Sequence, residues 1–221
     1  MLNLHYYPST ASMVPHIVLE ELGVTYQRTL VDRTVDAHKT PAYLMLNPNG
    51  TIPVLTDGDL VLFETAAIVL HLCDTHPQAG LVPALGSTER AHFYKWLMWL
   101  TNTLQAALMI YFYPTRWLDA KSTAAQEELQ RHAEAKVAGL LAQLDSELAG
   151  HHGLPGRDWF MGASYTALDA YVLTLCRWTR GFQNELPARD WPHLGPYLQR
   201  MLARPAVQRV FAAEDLSQPW V

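Results

Sequence analysis

The stretch NPNGTIPVLTDGDLVLFETAAI, residues 47–68, decides the fold. Asn47-Pro-Asn-Gly is turn chemistry. TIPVL and LVLF are apolar runs of strand length on either side of Asp57-Gly58, which reads as a hairpin. Pro53 opens the first of these strands and has no N–H to give to a ladder. The backbone of Ile52 is thereby left to pair with something other than a neighbouring strand. A cis Ile52–Pro53 bond would make the turn rigid and point that backbone outward; only about 5% of X-Pro bonds are cis, so the sequence leaves the isomer open. Glu64 and Thr65 then end a strand and open a helix that runs on through TAAIVLHLCDTH.

Upstream, LNLHYY alternates Leu2, Leu4 and Tyr6 on one face, so it reads as a strand. Ser12 to Leu22 reads as a helix, with Pro15 tolerated in its first turn and Gly23 ending it. VTYQRTLV is a further strand. The order is β-α-β, a long connection, then β-β-α, which suits a small mixed sheet with helices on its faces. Pro77 to Thr88, PQAGLVPALGST, has no periodicity and reads as a linker. Beyond it the pattern is helix only: ERAHFYKWLMWLTNTLQAALMIYFY, then Lys121 to Leu148, then a helix from Thr166, with shorter ones after Pro192 and Pro205. The expected organisation is a mixed domain over 1–77, a linker over 78–88 and a helical domain over 89–221. Thr166 and Asp169 have capping-box spacing ahead of an apolar run, which accounts for Asp169 without a catalytic role.

The chain has 221 residues, 49% hydrophobic and 17% charged, ordinary values for a globular protein with a sizeable core. A net charge of −5 without a basic run argues against nucleic acid and anionic membranes as partners. No secretory pattern opens the chain, and no apolar run approaches the roughly 18 residues of a membrane span. With two distant cysteines, Cys73 and Cys176, this points to a cytoplasmic protein with free thiols. HLCDTH offers His71, Cys73, Asp74 and His76, but on a helix the two histidines diverge, so no metal is expected. The pair His151-His152 reads as the solvated end of a helix. There is no CxxC, no GxSxG and no glycine-rich phosphate loop.

The chemistry falls on three segments. In YPSTASMVPH, residues 7–16, Ser9, Thr10 and Ser12 stand at a strand-to-helix turn, as spare helix caps or as donors to a reactive anion. Ser12 is best placed to cap the helix; Ser9 lies too far ahead of it to do so, and Thr10 is intermediate. The second segment is the Ile52–Pro53 turn. The third is Glu64-Thr65, where an acceptor for an ammonium group adjoins a helix start that favours a carboxylate. That combination suits the head of an α-amino acid.

In their order and spacing these motifs resemble the cytosolic glutathione transferases of bacterial type, over the whole chain. The resemblance implies an α/β thioredoxin-like N-terminal domain followed by an all-α helical C-terminal domain. It implies glutathione as cosubstrate, with no permanently bound cofactor. Ile52, ahead of a cis Pro53, would pair its backbone with the cysteinyl part of glutathione. Glu64 and Thr65 would hold the γ-glutamyl head, and His38 or Lys39 the glycyl carboxylate. In theta-like and zeta-like classes a serine of the first turn donates to the glutathione thiolate, and here Ser9 falls at that position. In the beta-like class a cysteine lies two residues later; here that residue is Ala11, so no mixed disulfide with the protein forms there. Thr10 and Ser12 are the other candidate donors.

By the same resemblance the long helix after the linker borders an acceptor pocket and a dimer partner. Tyr111, Tyr113 and Arg116 are candidates to line the pocket for a hydrophobic electrophile. Asn102 and Gln105 are either part of that pocket or make satisfied hydrogen bonds at an interface. The implied activity is conjugation of glutathione to an electrophile or reduction of a peroxide, by a cytoplasmic homodimer. A zeta-like cis-trans isomerase and a non-catalytic glutathione-binding stress regulator share the same site and are the alternatives.

Overall fold

The structure is a computed structural model that describes residues 1–119, 121–150 and 157–221. The His151-His152 pair therefore lies outside the described residues. The chain divides into two compact units: Met1–Pro83 with Leu202–Ser217, and Ala84–Met201 with Gln218–Val221.

In the first unit four short strands form one sheet: β1 (Asn3–Tyr6), β2 (Gln27–Leu30), β3 (Val54–Asp57) and β4 (Leu60–Phe63). Their order is β2-β1-β3-β4, with β2 parallel to β1 and the other pairs antiparallel. Helices α1 (Met13–Leu22) and α3 (Thr65–Thr75) bury Val14, Ile17, Val18, Ile68, Val69 and Leu72 with Leu4 of the sheet. Each such side chain contributes about 1.5–3 kcal/mol when fully withdrawn from water. A second, smaller cluster gathers Val31, Tyr43 and Val54 around Ala37, Leu46, Ile52 and Phe63. The hairpin loop is Gly58-Asp59 rather than Asp57-Gly58, since Asp57 still pairs with Leu60. Gly58, at φ 57°, takes the left-handed first loop position that a non-glycine residue adopts at a cost.

The long connection after β2 carries a short helix, α2 (Pro41–Leu44), which has no apolar period to announce it. Thr40 caps it, its hydroxyl accepting from the Tyr43 N–H at 3.3 Å, and Pro41 occupies the first turn.

The second unit is helical. Ser87 caps α4 (Thr88–Trp99) by accepting from the Arg90 N–H at 3.0 Å. A π-helical segment over Leu100–Gln105 joins it to α5 (Ala106–Phe112), so the single helix expected from the sequence changes its winding midway. Then come α6 (Thr123–Ala149), α7 (Ala167–Trp178) and α8 (Leu194–Leu202). Every residue of α7 is buried, its polar Asp169, Thr174 and Arg177 included. The last helix, α9 (Pro205–Ala213), belongs to the first unit, whereas the sequence reading places it in the helical domain. It packs on α1 through Ala206, Val207, Val210 and Phe211. Among the described residues no helix is long and apolar enough to cross a membrane.

Candidate functional site

Strand register gathers the candidate residues of the first unit. His5 pairs with Val54, Val54 with Phe63, and Tyr6 with Leu30. The segment that leaves β1, the one that leaves β2, the one that enters β3 and the one that leaves β4 therefore meet at one end of the sheet. These segments carry Ser9 to Ser12, His38 and Lys39, Ile52 and Pro53, and Glu64 and Thr65.

The hydroxyl turn is built around the Tyr7 peptide. Thr10 Oγ1 donates to the Tyr7 carbonyl at 2.8 Å. Ser12 Oγ lies 3.0 Å from the same carbonyl and accepts from the Tyr7 N–H at 3.3 Å. The two hydroxyls are 2.9 Å apart. Ser12 makes no capping bond, contrary to the sequence expectation. Its backbone is already helical (φ −63°, ψ −19°), whereas a capping residue is extended so that its oxygen reaches the N–H groups ahead. Ser12 is 0% exposed, so its hydroxyl holds the turn together from inside. Ser9 and Thr10 stay partly exposed. The Tyr7 carbonyl has two lone pairs and also has Ser12 Oγ within reach, so it keeps a donor if the Thr10 hydroxyl turns to another acceptor.

Ser9 sits at φ 61°, a left-handed conformation that costs about 1–3 kcal/mol in a serine and persists where the surroundings impose it. Its N–H donates at 2.9 Å to Glu214, just beyond α9. The other carboxylate oxygen of Glu214 lies 2.7 Å from His16 Nδ1, and both side chains are buried. Neither partner carried a signal in the sequence, since 205 residues separate Ser9 from Glu214.

The Ile52–Pro53 bond is cis. Strand pairing starts at Val54 instead of Pro53. Ahead of it, the Thr51 carbonyl accepts from the Tyr43 hydroxyl and from Asn47 Nδ2, both at 2.8 Å. Glu64 stands exposed at φ 71°, ψ 112°, a second strained non-glycine residue, and Thr65 begins α3. In the connection, Lys39 Nζ is 2.9 Å from Asp36 and His38 Nε2 is 3.9 Å from it. Lys39 holds the Asp36 carboxyl below its ordinary pKa of 3.8, with smaller help from His38 and Arg33. Arg33, a cation the sequence reading passed over, lies 5.9 Å over the Tyr7 ring.

In the second unit Tyr111 contacts Phe112 and Phe182, ring centroids 5.0 and 4.8 Å apart, and Phe112 meets Trp178 at 6.3 Å. The Arg116 guanidinium stacks 4.1 Å over Tyr113. The Gln105 side chain is engaged elsewhere: its Oε1 accepts from the buried Tyr171 hydroxyl at 3.0 Å. Asn102 is exposed and accepts from Thr101 Oγ1 at 3.3 Å. Phe182 and Trp178 were missed because nothing local distinguishes them from core aromatics. Cys73 and Cys176 are buried free thiols, and burial pushes the Cys176 thiol well above its ordinary pKa. Among the described residues no group of three or more His, Cys, Asp or Glu is arranged to hold a metal.

Residues 8–75 match the family model for the glutathione S-transferase N-terminal domain, and residues 72–205 that for the C-terminal domain. A glutathione S-transferase of Xanthomonas campestris pv. campestris is 30% identical over 98% of this chain and 100% of its own length. Another, from Escherichia coli O157:H7, is 28% identical over 97% and 100%. A glutathione transferase homologue from Sulfitobacter, solved with bound glutathione, superposes with a TM-score of 0.85 at 26% identity, over 96% of this chain and 98% of that one. A sphingomonad glutathione S-transferase complexed with glutathione gives a TM-score of 0.80 at 32% identity, over 97% and 100%. Both family models fit and the relatives align over nearly the whole of both chains, so the chain belongs to the glutathione S-transferase family.

Proposed function

We propose that this chain binds reduced glutathione at the gathered end of its sheet, stabilises the thiolate, and joins it to a hydrophobic electrophile or uses it to reduce a peroxide. The observation that carries this reading is the strand register, which puts the segments bearing the Ser9 turn, the Ile52 peptide, Glu64-Thr65 and, further along, His38-Lys39 at one end of the sheet. The structural relatives solved with glutathione support it. Ile52 pairs with the cysteinyl part, Glu64 and Thr65 take the γ-glutamyl head, and His38 or Lys39 the glycyl carboxylate. Pro53 shapes the turn.

A free thiol has a pKa of about 8.5, so only a few per cent is thiolate at neutral pH. Ser9 donates to the sulfur, with Thr10 as the second donor, and the positive end of α1 favours the same charge. Each unit by which the pKa falls is worth about 1.4 kcal/mol of preference for the anion. Ala11 supplies no thiol, so the nucleophile is the cosubstrate's own. In conjugation the sulfur forms a bond to carbon as the leaving group departs or the electrons enter an acceptor. In peroxide reduction two glutathione molecules are oxidised to the disulfide. Tyr111, Tyr113 and Arg116 contribute to the acceptor side, while Gln105 holds the Tyr171 hydroxyl behind it. A homodimer, a cytoplasmic location and a detoxifying role belong to the same proposal.

The test is calorimetric titration with glutathione, paired with thiol consumption against a panel of electrophiles and peroxides. Ser9→Ala is expected to keep glutathione affinity within about threefold while conjugation falls about a hundredfold. Ultraviolet absorbance of the bound thiolate should move to higher pH in the variant. Undiminished conjugation would remove Ser9 from the mechanism, and the absence of any binding heat in the wild type would end the reading.

A further inference from the structure

We infer that the Tyr43 hydroxyl is a positioning group for glutathione, because it aims the peptide bond whose N–H the cosubstrate is read to meet at Ile52. The inference rests on the reading of the site given under Proposed function. The Thr51 carbonyl and the Ile52 N–H belong to one peptide unit. That unit is trans, since the cis bonds among the described residues are Ile52–Pro53 and Gln218–Pro219. In a planar trans peptide the C=O and the N–H point in opposite directions. Whatever pins the Thr51 oxygen therefore directs the Ile52 N–H.

Two donors do the pinning. The Tyr43 hydroxyl and Asn47 Nδ2 each reach the Thr51 oxygen at 2.8 Å and occupy both of its lone pairs. Asn47 is itself held, with Nδ2 also 2.9 Å from Thr51 Oγ1 and Oδ1 accepting from the Asn49 N–H at 3.1 Å. Tyr43 stands on the four-residue helix α2, and its ring is 6% exposed within the cluster of Val31 and Val54. Burial pushes the phenol above its ordinary pKa, so it stays a donor throughout the working range. The Thr51 oxygen is thus drawn toward Tyr43 and Asn47, and the N–H of Ile52 is turned away from them. Nothing in the ring's packing requires the hydroxyl; a phenylalanine would fill the same space.

The experiment compares wild type, Tyr43→Phe and Val31→Ala. The second variant loosens the same cluster without touching the Thr51 carbonyl. Glutathione affinity is measured by calorimetry, kcat at saturating glutathione by conjugation, and stability by thermal melting. Loss of one aiming hydrogen bond should raise the glutathione Kd and KM of Tyr43→Phe about threefold to tenfold, with kcat retained. Val31→Ala should melt lower and bind glutathione as the wild type does. An unchanged Kd in Tyr43→Phe overturns the inference, and so does an equal rise in both variants, which would assign the effect to a softened core. A fall in kcat at saturation also overturns it, since the hydroxyl would then act at the sulfur. If the wild type itself binds no glutathione, the site reading fails and takes this inference with it. Wild-type binding with an unaffected Tyr43→Phe defeats the inference alone.

Discussion

Asp169 shows how much one side chain can organise. Its carboxylate accepts from the Phe160 N–H at 2.8 Å, the Thr166 N–H at 2.7 Å and the Tyr197 hydroxyl at 2.8 Å, with the Thr166 hydroxyl at 3.2 Å. The spacing of Thr166 and Asp169 announced the capping box; the links to Phe160 and Tyr197 had no local signature. Asp169→Ala leaves two N–H groups and a phenol buried without an acceptor, each costing about 1–3 kcal/mol. The expected loss is at least about 3 kcal/mol in urea unfolding, with Asp169→Asn in between because it keeps one oxygen. Ser12 makes the complementary point. Its hydroxyl had two local targets, the helix ahead and the Tyr7 peptide behind, and the backbone angles of the turn chose the second.

At the scale of elements, Glu134 of α6 fastens the loop that follows Phe182. Its carboxylate accepts from the N–H groups of Gln183, Asn184 and Glu185 at 2.8, 2.9 and 3.2 Å, and from Asn184 Nδ2 at 2.8 Å. Burial alone would raise its pKa, but the Asn184 side chain and these backbone donors outweigh burial and hold it below the ordinary 4.5. A carboxyl with a depressed folded pKa stabilises fully above its unfolded value and loses that contribution as pH falls through the folded one. Glu134→Gln should therefore cost about 1–3 kcal/mol at neutral pH, and the gap to wild type should close in acid, as the pH falls below the ordinary 4.5 and through the lowered folded value. Parallel urea titrations at several pH values would read this. A gap independent of pH would mean that shape matters there and charge does not. Phe182, whose ring meets Tyr111, directly precedes this loop, so loosening Glu134 is expected to reach the acceptor side of the proposed chemistry.

For the whole molecule the decisive element is α9. It buries Ala206, Val207, Val210 and Phe211, and Arg204 grips Glu21 with two bonds at 2.7 and 2.8 Å. Partly exposed ion pairs contribute roughly 0–1 kcal/mol, so the apolar face carries most of the docking. Glu214, which anchors Ser9 and meets His16, follows directly. A chain ending at Arg204 is expected to melt well below the full chain and to expose its first 83 residues to protease. Adding a peptide of residues 202–217 in trans should restore part of the protection. Equal melting temperatures would show that the first unit stands without this helix.

The sequence by itself determined the local order: the hairpin from TIPVL and LVLF, though with its loop one residue early, the helix starts at Thr65 and Thr166, the change to helix alone beyond the linker, and the motif set that marks the family. These are legible because turn dihedrals, capping and hydrophobic period act over a few neighbouring residues. Only the tertiary structure decided that Glu214 holds Ser9 across 205 residues, that Glu134 holds Asn184 across 50, and that Ser12 faces inward. The same holds for the donor that Tyr43 gives to Thr51, although just eight residues separate them. A side-chain hydrogen bond depends on where packing aims a donor, and that direction leaves no periodic trace in the chain.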